Sequence, residues 1–291
     1  MMEKWAGFIN HRNLRIKMKV YANVMVKNEA ILLSAVYEYW KNYPVDHWVF
    51  YDDNSTDKTV EVIKDNFKDR ATIIADNLPA FNESHNRSRM LEYSRENGAD
   101  FVVAIDADEL MSANMVEHFD QVLEINSKYD MRYYWFNVIG DLGHMRQDPL
   151  YQNNFRTFIL PMKDTSQFDM SLWQYHTPRT PPVRLPAVST KDAGFIHLQS
   201  INRKFYALKQ LWYKHFEYKE YNHTAAEINS KYDPVINNLD FQEAPTPLPI
   251  INGLSFDASV YDNLAEIKGY EAYIMENYVE DLVTFGKEYL V

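Results

Sequence analysis

The side chains best suited to catalysis or ligand binding lie in three short polar segments between residues 27 and 108. The most acidic segment, Asp106-Ala107-Asp108, directly follows the apolar run at residues 101–105. Two carboxylates at positions i and i+2 after a buried strand can face one cleft, and Mg²⁺ and Mn²⁺ prefer such oxygen ligands. A metal that bridges a diphosphate neutralises that group as it leaves. The alternative is a solvated turn whose acidic residues favour the start of a helix.

The second polar segment, residues 52–57, follows another short apolar strand. A carboxylate at a strand end can accept hydrogen bonds from the ribose or base of a nucleotide. Several residues of this segment, led by Asn54 and Ser55, are typical helix caps. Capping leaves Asp52 or Asp53 without a role, so we expect one of them to contact a base or ribose. The third segment consists of Lys27, Asn28 and Glu29.

The hydrophobic pattern predicts the elements that position these segments. Short β-rich runs alternate with stretches whose apolar residues recur at helical spacing, in the order β-α-β-α-β-α-β-α-β. This order indicates a parallel sheet with right-handed crossovers, whose ligands bind outside the carboxyl ends of the strands. All three polar segments follow strand ends, so the sequence predicts one site. The predicted strands span residues 19–26, 47–51, 71–75, 101–105 and 131–138, and the helices 28–42, 56–67, 83–96 and 113–127.

The pattern becomes irregular after residue 140, and prolines accumulate between residues 178 and 186. We interpret this part as acceptor-side loops with a few strands, followed by helices. Arg179 and Arg184, in the proline-rich loop, could meet a diphosphate or an acidic acceptor, the alternative being that the prolines simply stiffen a loop. The further predictions are strands at 155–160, 168–175 and 194–199, a helix at 201–221, a linker or lid at 233–260 and a helix at 261–290.

The predicted helix at 201–221 carries an apolar stripe and several lysines. The stripe predicts packing against the preceding domain, with the lysines on a solvated basic face. Docking on a membrane, a lipid-linked acceptor or a partner subunit is the alternative. The stripe residues are Phe205, Leu208, Leu211, Trp212 and His215, and the lysines are Lys204, Lys209, Lys214 and Lys219.

Composition limits the classes of function. The 291 residues are 46% hydrophobic, which supports a sizeable core, and the net charge of -11 disfavours a nucleic-acid partner. The absence of cysteine excludes a disulfide framework and a thiolate metal site. No apolar run approaches the about 20 residues that span a bilayer, and the basic N-terminus lacks the apolar stretch of a signal peptide. We therefore expect a cytoplasmic protein, with peripheral membrane contact through the N-terminal arm as the alternative.

Taken together, the segments VMVKNEA, VFYDDNSTDKT and FVVAIDADEL resemble the family-2 glycosyltransferases of the GT-A fold, over roughly residues 19–140. The closing DADEL is similar to the branch of that family whose motif ends in Asp-Glu. The resemblance implies an α/β, Rossmann-like GT-A fold: a mostly parallel sheet flanked by helices, with a helical C-terminal extension. It also implies a nucleotide-sugar donor, most simply a UDP-sugar, a Mn²⁺ or Mg²⁺ ion, and inversion at the anomeric carbon. The expected organisation is an N-terminal arm (1–18), a GT-A domain (19–200) and a helical extension (201–291).

The resemblance implies roles for individual residues. Asp108 would ligate the metal, and Asp106 would contact the ribose or the metal. His197, in GFIHLQS, suits the downstream histidine that many GT-A enzymes supply as a further ligand, and neutral imidazole is an acceptable ligand for Mn²⁺. Arg87 or Arg89 would face the diphosphate, the alternative being a solvated helix face. The other residues implied to bind the sugar donor are Val26, Lys27, Asn28, Glu29, Asp52 or Asp53, and Ala107.

The catalytic base is the least defined part of the expected site. An inverting displacement needs a base within hydrogen-bond reach of the acceptor hydroxyl, and the family usually supplies a carboxylate, often in a Glu-Asp pair. No such pair occurs between residues 140 and 200. Asp169 and His176, which flank SLWQY, are the leading candidates, and Asp164 and Asp192 remain.

Two other functions compete with glycosyl transfer. A sugar-phosphate nucleotidyltransferase usually has a glycine-rich loop after its first strand, whereas this chain has VKNEA there. A catalytically silent nucleotide-sugar binding protein also stays open, because the base is not located. The sequence does not show whether the acceptor is a glycan, a lipid-linked molecule or a protein. The oligomeric state does not follow from the sequence either.

Overall fold

The computed structural model describes residues 18–78, 81–146, 153–164, 179–182, 184–220, 223–237, 246–247, 256–262 and 269–270. Up to residue 106 the chain alternates between strands and helices in the predicted order. The strands are β1 (Val20–Val26), β2 (His47–Asp52), β3 (Ala71–Ile74) and β4 (Phe101–Asp106), and the intervening helices are α1 (Ala30–Trp40), α2 (Thr59–Phe67) and α3 (Glu83–Glu96).

These four strands are parallel and lie side by side in the order β3-β2-β1-β4. The antiparallel edge strand β9 (Ile159–Pro161) pairs with β4. Alternate side chains of β1 enter different apolar clusters: Val24 packs with α1 and α2, and Tyr21 packs with α3. Helices therefore cover both faces, as the nearly continuous apolar strands require. The predicted α/β class with a mostly parallel sheet is confirmed.

The fifth predicted strand does not join this sheet, so that part of the prediction is wrong. Strand β6 (Asp130–Ile139) instead centres a second sheet, parallel to β10 (Ala187–His197). The free edge of β4 is already taken by β9, which leaves β6 to pair with strands from elsewhere in the chain. The other strands of the second sheet are β5 (Glu109–Met111), β7 (Asp141–Met145), β8 (Phe155–Thr157) and β11 (Thr246–Pro247).

Two further expectations are modified. The helix predicted at 113–127 is two short helices, α4 (Ala113–Glu117) and α5 (Phe119–Asn126), because His118 leaves the helical conformation at φ -110° and ψ 30°. The segment predicted as a linker begins inside a helix, α7 (Ala225–Asn237), which tolerates Pro234 near its end. The strand predicted at 168–175 lies outside the described residues, as does most of the helix predicted at 261–290.

The helix predicted at 201–221 is confirmed as α6 (Arg203–Glu220), and it packs against α7. Lys214 is buried and its ammonium lies 2.7 Å from Asp233 of α7. Glu217 is likewise buried, 2.6 Å from the Lys231 ammonium and 2.6 Å from the Tyr232 hydroxyl. The expectation of a solvated basic face is thus wrong for Lys214, whose charge meets a matching acid on the neighbouring helix.

No helix in the described part of the chain is both long enough and apolar enough to cross a membrane.

Candidate functional site

The three polar segments meet at the carboxyl edge of the first sheet. Strand register places Val26 opposite Asp52 and Met25 opposite Asp106, so the ends of β1, β2 and β4 lie side by side. Parallel pairing of strands of similar length produces this convergence. The edge therefore collects side chains that are far apart in the sequence.

The loops after β1 and β2 are tied together. Asn28 adopts the left-handed region at φ +53°, which asparagine tolerates better than most residues. Its side-chain oxygen accepts a hydrogen bond from the Thr56 backbone amide at 2.7 Å, and the backbone amide of Asn28 donates to the Ser55 hydroxyl at 2.9 Å. Asn28, expected to line the nucleoside, thus has a structural role in joining the two loops.

The two leading acids of the second segment differ in their partners. Asp52 is buried and accepts from the Ser55 amide at 3.3 Å. Asp53 is also buried, and the Lys27 ammonium lies 2.9 Å from its carboxylate. The expected caps Asn54 and Ser55 do not start α2, which begins at Thr59.

The start of α2 is capped from just ahead of the helix. Asp57 accepts from the Thr59 amide at 2.9 Å, which satisfies one of the unpaired amides at the start of α2. Thr59 in turn accepts, through its hydroxyl, from the Glu29 amide at 2.8 Å. Capping and loop closure therefore share the same residues, which holds the end of β1 against the start of α2.

Glu109 holds the acidic turn in place. It is fully buried; one carboxylate oxygen accepts from the Trp135 indole at 2.6 Å and the other from the Asp106 amide at 2.9 Å. Burial raises the pKa of Glu109 and the nearby Asp106 adds to this, against the lowering effect of Arg179. Glu109, to which no role was assigned from the sequence, fixes the backbone that carries the two aspartates.

Asp106 is flanked by two arginines. Arg179 lies 2.8 Å from one of its oxygens and also pairs with Glu109, while Arg87 lies 3.4 Å from the other oxygen. Burial would raise the pKa of Asp106, but Arg179 and then Arg87 outweigh it and hold the pKa below its ordinary value. The Arg179 guanidinium also lies over the Trp135 ring, 4.9 Å from its centroid.

The choice between Arg87 and Arg89 is clear in the structure. Arg87 is buried and its side chain is held by Glu83 one turn earlier, with a distance of 2.9 Å. Arg89 is partly exposed and pairs with Asp76 at 3.1 Å. Arg87 therefore faces the acidic turn, and Arg89 belongs to a separate ion pair.

Asp108 faces a histidine and a lysine from distant parts of the chain. The same oxygen lies 3.4 Å from His197 Nε2 and 3.6 Å from the Lys209 ammonium. Burial would raise the pKa of Asp108, but His197 and Lys209 outweigh it and hold the pKa well below its usual range. Lys209 lies on α6, so the expected solvated basic face is wrong for this lysine as well.

His197 is oriented by its neighbours. Its ring stacks on Trp135 at 4.2 Å between centroids. The Asn137 amide nitrogen donates to the Trp135 carbonyl at 3.1 Å, which leaves the Asn137 oxygen to accept from His197 Nδ1 at 2.7 Å. This arrangement places the hydrogen on Nδ1 and directs Nε2 towards Asp108, as is common for metal-binding histidines.

A bulge in β10 brings His197 to this position. The pairing register of β10 with β6 shifts between Thr190 and Gly194. A side chain at Gly194 would collide with the Tyr134 carbonyl and the Phe136 ring, so only glycine fits there. Three residues later His197 pairs with Glu109 across the sheet, beside the acidic turn.

Within the described residues, no group of three or more histidine, aspartate or glutamate side chains is arranged to hold a metal ion. The donor set nonetheless suits Mn²⁺ or Mg²⁺, since the Asp108 carboxylate and the His197 imidazole are adjacent. Mg²⁺ is usually bound by one or two carboxylates, and substrate phosphates and waters complete its shell. The base candidates Asp169 and His176 lie outside the described residues.

The sequence of the site region matches a known family. A model described as glycosyl transferase family 2 matches residues 24–175, slightly more than half of the chain. The chain belongs to glycosyl transferase family 2. The GT-A fold expected from the resemblance is thereby confirmed, and membership favours glycosyl transfer over the nucleotidyltransferase alternative. The matched residues include Asp106 and Asp108 but end before Arg179, His197 and Lys209.

Comparison with solved structures gives distant matches. TarS 1-349 from S. aureus, in complex with UDP, aligns with 14% identity over 94% of this chain and 93% of that chain, at a TM-score of 0.45. The mannosyltransferase PcManGT from Pyrobaculum calidifontis, in complex with GDP-Man and Mn²⁺, aligns with 11% identity over 95% and 80%, at a TM-score of 0.46. Against a longer TarS chain, this chain spans 44% of that length, with 13% identity, 78% coverage and a TM-score of 0.45. No curated protein matches the chain.

Sequence reasoning missed several residues of the site, and one had a detectable signal. Lys209 is four residues after Phe205 and three before Trp212, so helical spacing places it within the apolar stripe. A lysine inside such a stripe needs an acidic or polar partner when buried. Trp135 gave no comparable signal, because it lies in a strand that is aromatic throughout.

Proposed function

We propose that this glycosyltransferase is metal-dependent and inverting, and that it transfers a sugar from a nucleotide-diphosphate sugar to a hydroxyl acceptor. The observation that carries the proposal is the meeting of Asp108 and the oriented His197 at the carboxyl edge of the sheet. A carboxylate that faces Nε2 of an imidazole whose Nδ1 is held by Asn137 is a ligand pair for a divalent cation.

In this proposal Asp108 and His197 hold the metal, and Asp106 contacts either the metal or the ribose. The metal supplies charge neutralisation to the leaving diphosphate when it is bound. Arg87, held by Glu83, lies beside Asp106 and contributes a second positive charge for the same group. The short reach from Arg87 to Asp106 supports this role better than any contact of Arg89 does.

The nucleoside of the sugar donor lies, in this proposal, against the loops after β1 and β2. Their tie through Asn28 makes a rigid wall, and a rigid wall lowers the entropic cost of binding. Asp53, paired with Lys27, is the acid better placed to accept from a ribose or base, because Asp52 is engaged within its own turn. The remaining residues of the proposed wall are Val26, Glu29 and Ala107.

Inversion requires that the acceptor oxygen attacks the anomeric carbon from the side opposite the diphosphate. One base must remove the hydroxyl proton, and Asp169 and His176 remain the proposed residues. We also keep the division into an arm (1–18), a GT-A domain (19–200) and a helical extension (201–291) as part of the proposal. The contact of Lys209 with Asp108 indicates that the extension takes part in the site.

Binding of a sugar-donor nucleotide tests the proposal most directly. UDP and GDP, the nucleotides of the TarS and PcManGT complexes, are suitable probes for titration calorimetry with and without Mn²⁺. We expect binding that needs the metal and that weakens at least about 100-fold in Asp108→Asn, because even outer partners of a metal ligand affect affinity up to that degree. Asp65→Asn, an exposed acid on α2, is the matched control and should bind as the unaltered protein does.

Hydrolysis and turnover assays on the same protein distinguish the competing functions. Slow metal-dependent hydrolysis of a nucleotide sugar supports a transferase, and an inverted anomeric proton signal in the first product supports inversion. Binding to UDP or GDP that is equally strong without metal would contradict the metal site. Binding without turnover on any acceptor would support a silent binding protein instead.

A further inference from the structure

The ammonium beside Asp108 comes from outside the residues that match the family. Lys209 lies on α6, which begins at Arg203, whereas the family match ends at residue 175. The helix is held against the domain by buried side chains on either side of this lysine, among them Leu208 and Leu211. The Lys209 side chain is only 15% exposed and its ammonium lies 3.6 Å from Asp108.

Lys209 and a divalent cation make conflicting demands on Asp108. One carboxylate oxygen faces both His197 Nε2 and the Lys209 ammonium. A metal bound between Asp108 and His197 would therefore lie a few ångströms from a positive charge, and like charges at such a distance repel. The acidic turn alone does not remove the conflict, because Arg87 and Arg179 already neutralise Asp106.

A bound diphosphate removes the conflict. It adds negative charge next to the metal, and a lysine ammonium on a flexible stem can turn from a carboxylate to a phosphate oxygen with its three hydrogens. Within the described residues, the Tyr261 hydroxyl is buried and has no hydrogen-bond partner. The Tyr261 ring contacts Phe205, one turn from Lys209, at 4.8 Å between centroids.

We propose that Lys209 binds the diphosphate of the sugar donor and that it pairs with Asp108 only while the donor is absent. This inference rests on the proposed function and adds a residue of the C-terminal extension to it. In the reaction, the bond between the anomeric carbon and the phosphate oxygen breaks and its electron pair stays on that oxygen. The acceptor oxygen bonds to the carbon and its proton passes to the base. Lys209 keeps its protons throughout and offsets the charge that develops on the diphosphate.

The proposal predicts effects of opposite sign for one substitution. In Lys209→Met, Mn²⁺ alone should bind about fivefold more tightly, because a competing cation has left Asp108. UDP or GDP, whichever binds the unaltered protein, should bind about thirtyfold more weakly at saturating Mn²⁺, because a charged hydrogen bond to phosphate is lost. Mn²⁺ binding can be followed by electron paramagnetic resonance of the free ion and nucleotide binding by calorimetry.

Three controls keep the test specific. Lys209→Arg retains the charge and should recover most of the diphosphate affinity. Lys204→Met, on the exposed side of the same helix, should change neither affinity. The matching nucleoside monophosphate should lose much less affinity than the diphosphate in Lys209→Met. If Lys209→Met does not fold, as judged by circular dichroism, Lys209→Gln serves for the same two measurements.

A purely structural lysine would behave differently. Equal weakening of Mn²⁺ and diphosphate binding, or unchanged diphosphate binding, would overturn the inference. Failure of the proposed function has its own signature, because the unaltered protein would then bind neither UDP nor GDP in the presence of Mn²⁺.

Discussion

Two buried groups of charges in the described part of the chain differ in construction. The first, the interhelical cluster, joins α6 to α7 through ion pairs of 2.6 to 2.7 Å. The second, the edge cluster, has three acids within one four-residue turn, and its distances to Arg87 and Lys209 are 3.4 and 3.6 Å. The interhelical cluster comprises Lys214, Glu217, Lys231, Tyr232 and Asp233; the edge cluster comprises Asp106, Asp108 and Glu109 with Arg87, Arg179 and Lys209.

This difference separates a structural ion network from one that can exchange partners. In the interhelical cluster each charge pairs with a residue of the neighbouring helix. Removing one member of a pair leaves an uncompensated charge on the other. In the edge cluster the acids stand side by side and repel one another, so cations from distant segments gather around them. Arg179 holds Asp106 at 2.8 Å, whereas the longer contacts of Arg87 and Lys209 are ones that an incoming metal or phosphate can replace.

We expect the largest effect from substitution of Glu109. This residue belongs to the edge cluster, but like the acids of the interhelical cluster it makes short contacts. In Glu109→Gln, an amide nitrogen would face either the Trp135 indole or the Asp106 amide, both of which donate hydrogen bonds. We expect the free energy of unfolding to fall by about 4 kcal/mol, as for a broken buried ion pair. Chemical denaturation measures this, with exposed Glu38→Gln as the control. An unchanged unfolding curve would place Glu109 with the exchangeable acids.

Substitution within the interhelical cluster should affect stability alone. Asp233→Asn removes the acid that lies 2.7 Å from the buried Lys214 ammonium, and we expect a loss of about 3 kcal/mol in unfolding free energy. Glu124→Gln, which removes a solvent-exposed pair with Lys128, should cost less than about 0.5 kcal/mol. Nucleotide binding by the folded Asp233→Asn protein should be unchanged. A selective loss of nucleotide affinity would join the two clusters into one functional unit.

The smallest effect concerns pH. Burial, with the charges of Lys214 and Lys219, lowers the pKa of His215 to about 4 from its ordinary 6.5. The unfolded chain therefore takes up a proton more readily, so stability is fully present above pH 6.5 and is lost as the pH falls from 6.5 towards 4. Between pH 7 and 5.5 we expect a loss of about 1 kcal/mol that His215→Gln lacks. Thermal melts of both proteins across this range measure the difference, and parallel curves would contradict the assignment.

Much of the first sheet could be predicted from the sequence because its signals are local. The helix predicted at residues 83–96 has those bounds in α3, since a capping Asn82 and the Asn97-Gly98 stop are both adjacent to it. The convergence of the polar segments also follows from local strand order. The partner of β6 does not, because pairing depends on which sheet edges remain free after β9 has closed the first sheet.

The charges around the acidic turn were hidden for a related reason. Asp106 and Asp108 stand out within one short segment, but their cations lie on a loop and a helix far along the chain. The contact between Glu109 and Arg179 spans 70 residues, and spacing alone does not reveal such a contact. Lys209 could have been singled out by its place in an apolar stripe, but the sequence does not reveal that Lys209 pairs with Asp108.

The long separation between the acids and their cations has a consequence for how the protein is made. During synthesis the acidic turn leaves the ribosome 70 residues ahead of Arg179, and Lys209 follows later still. At ordinary rates of translation that interval lasts roughly 4 to 14 seconds. For this time three neighbouring carboxylates exist without the arginine that later pairs with two of them. The edge of the first sheet is therefore the part of the domain that we expect to consolidate last on the nascent chain.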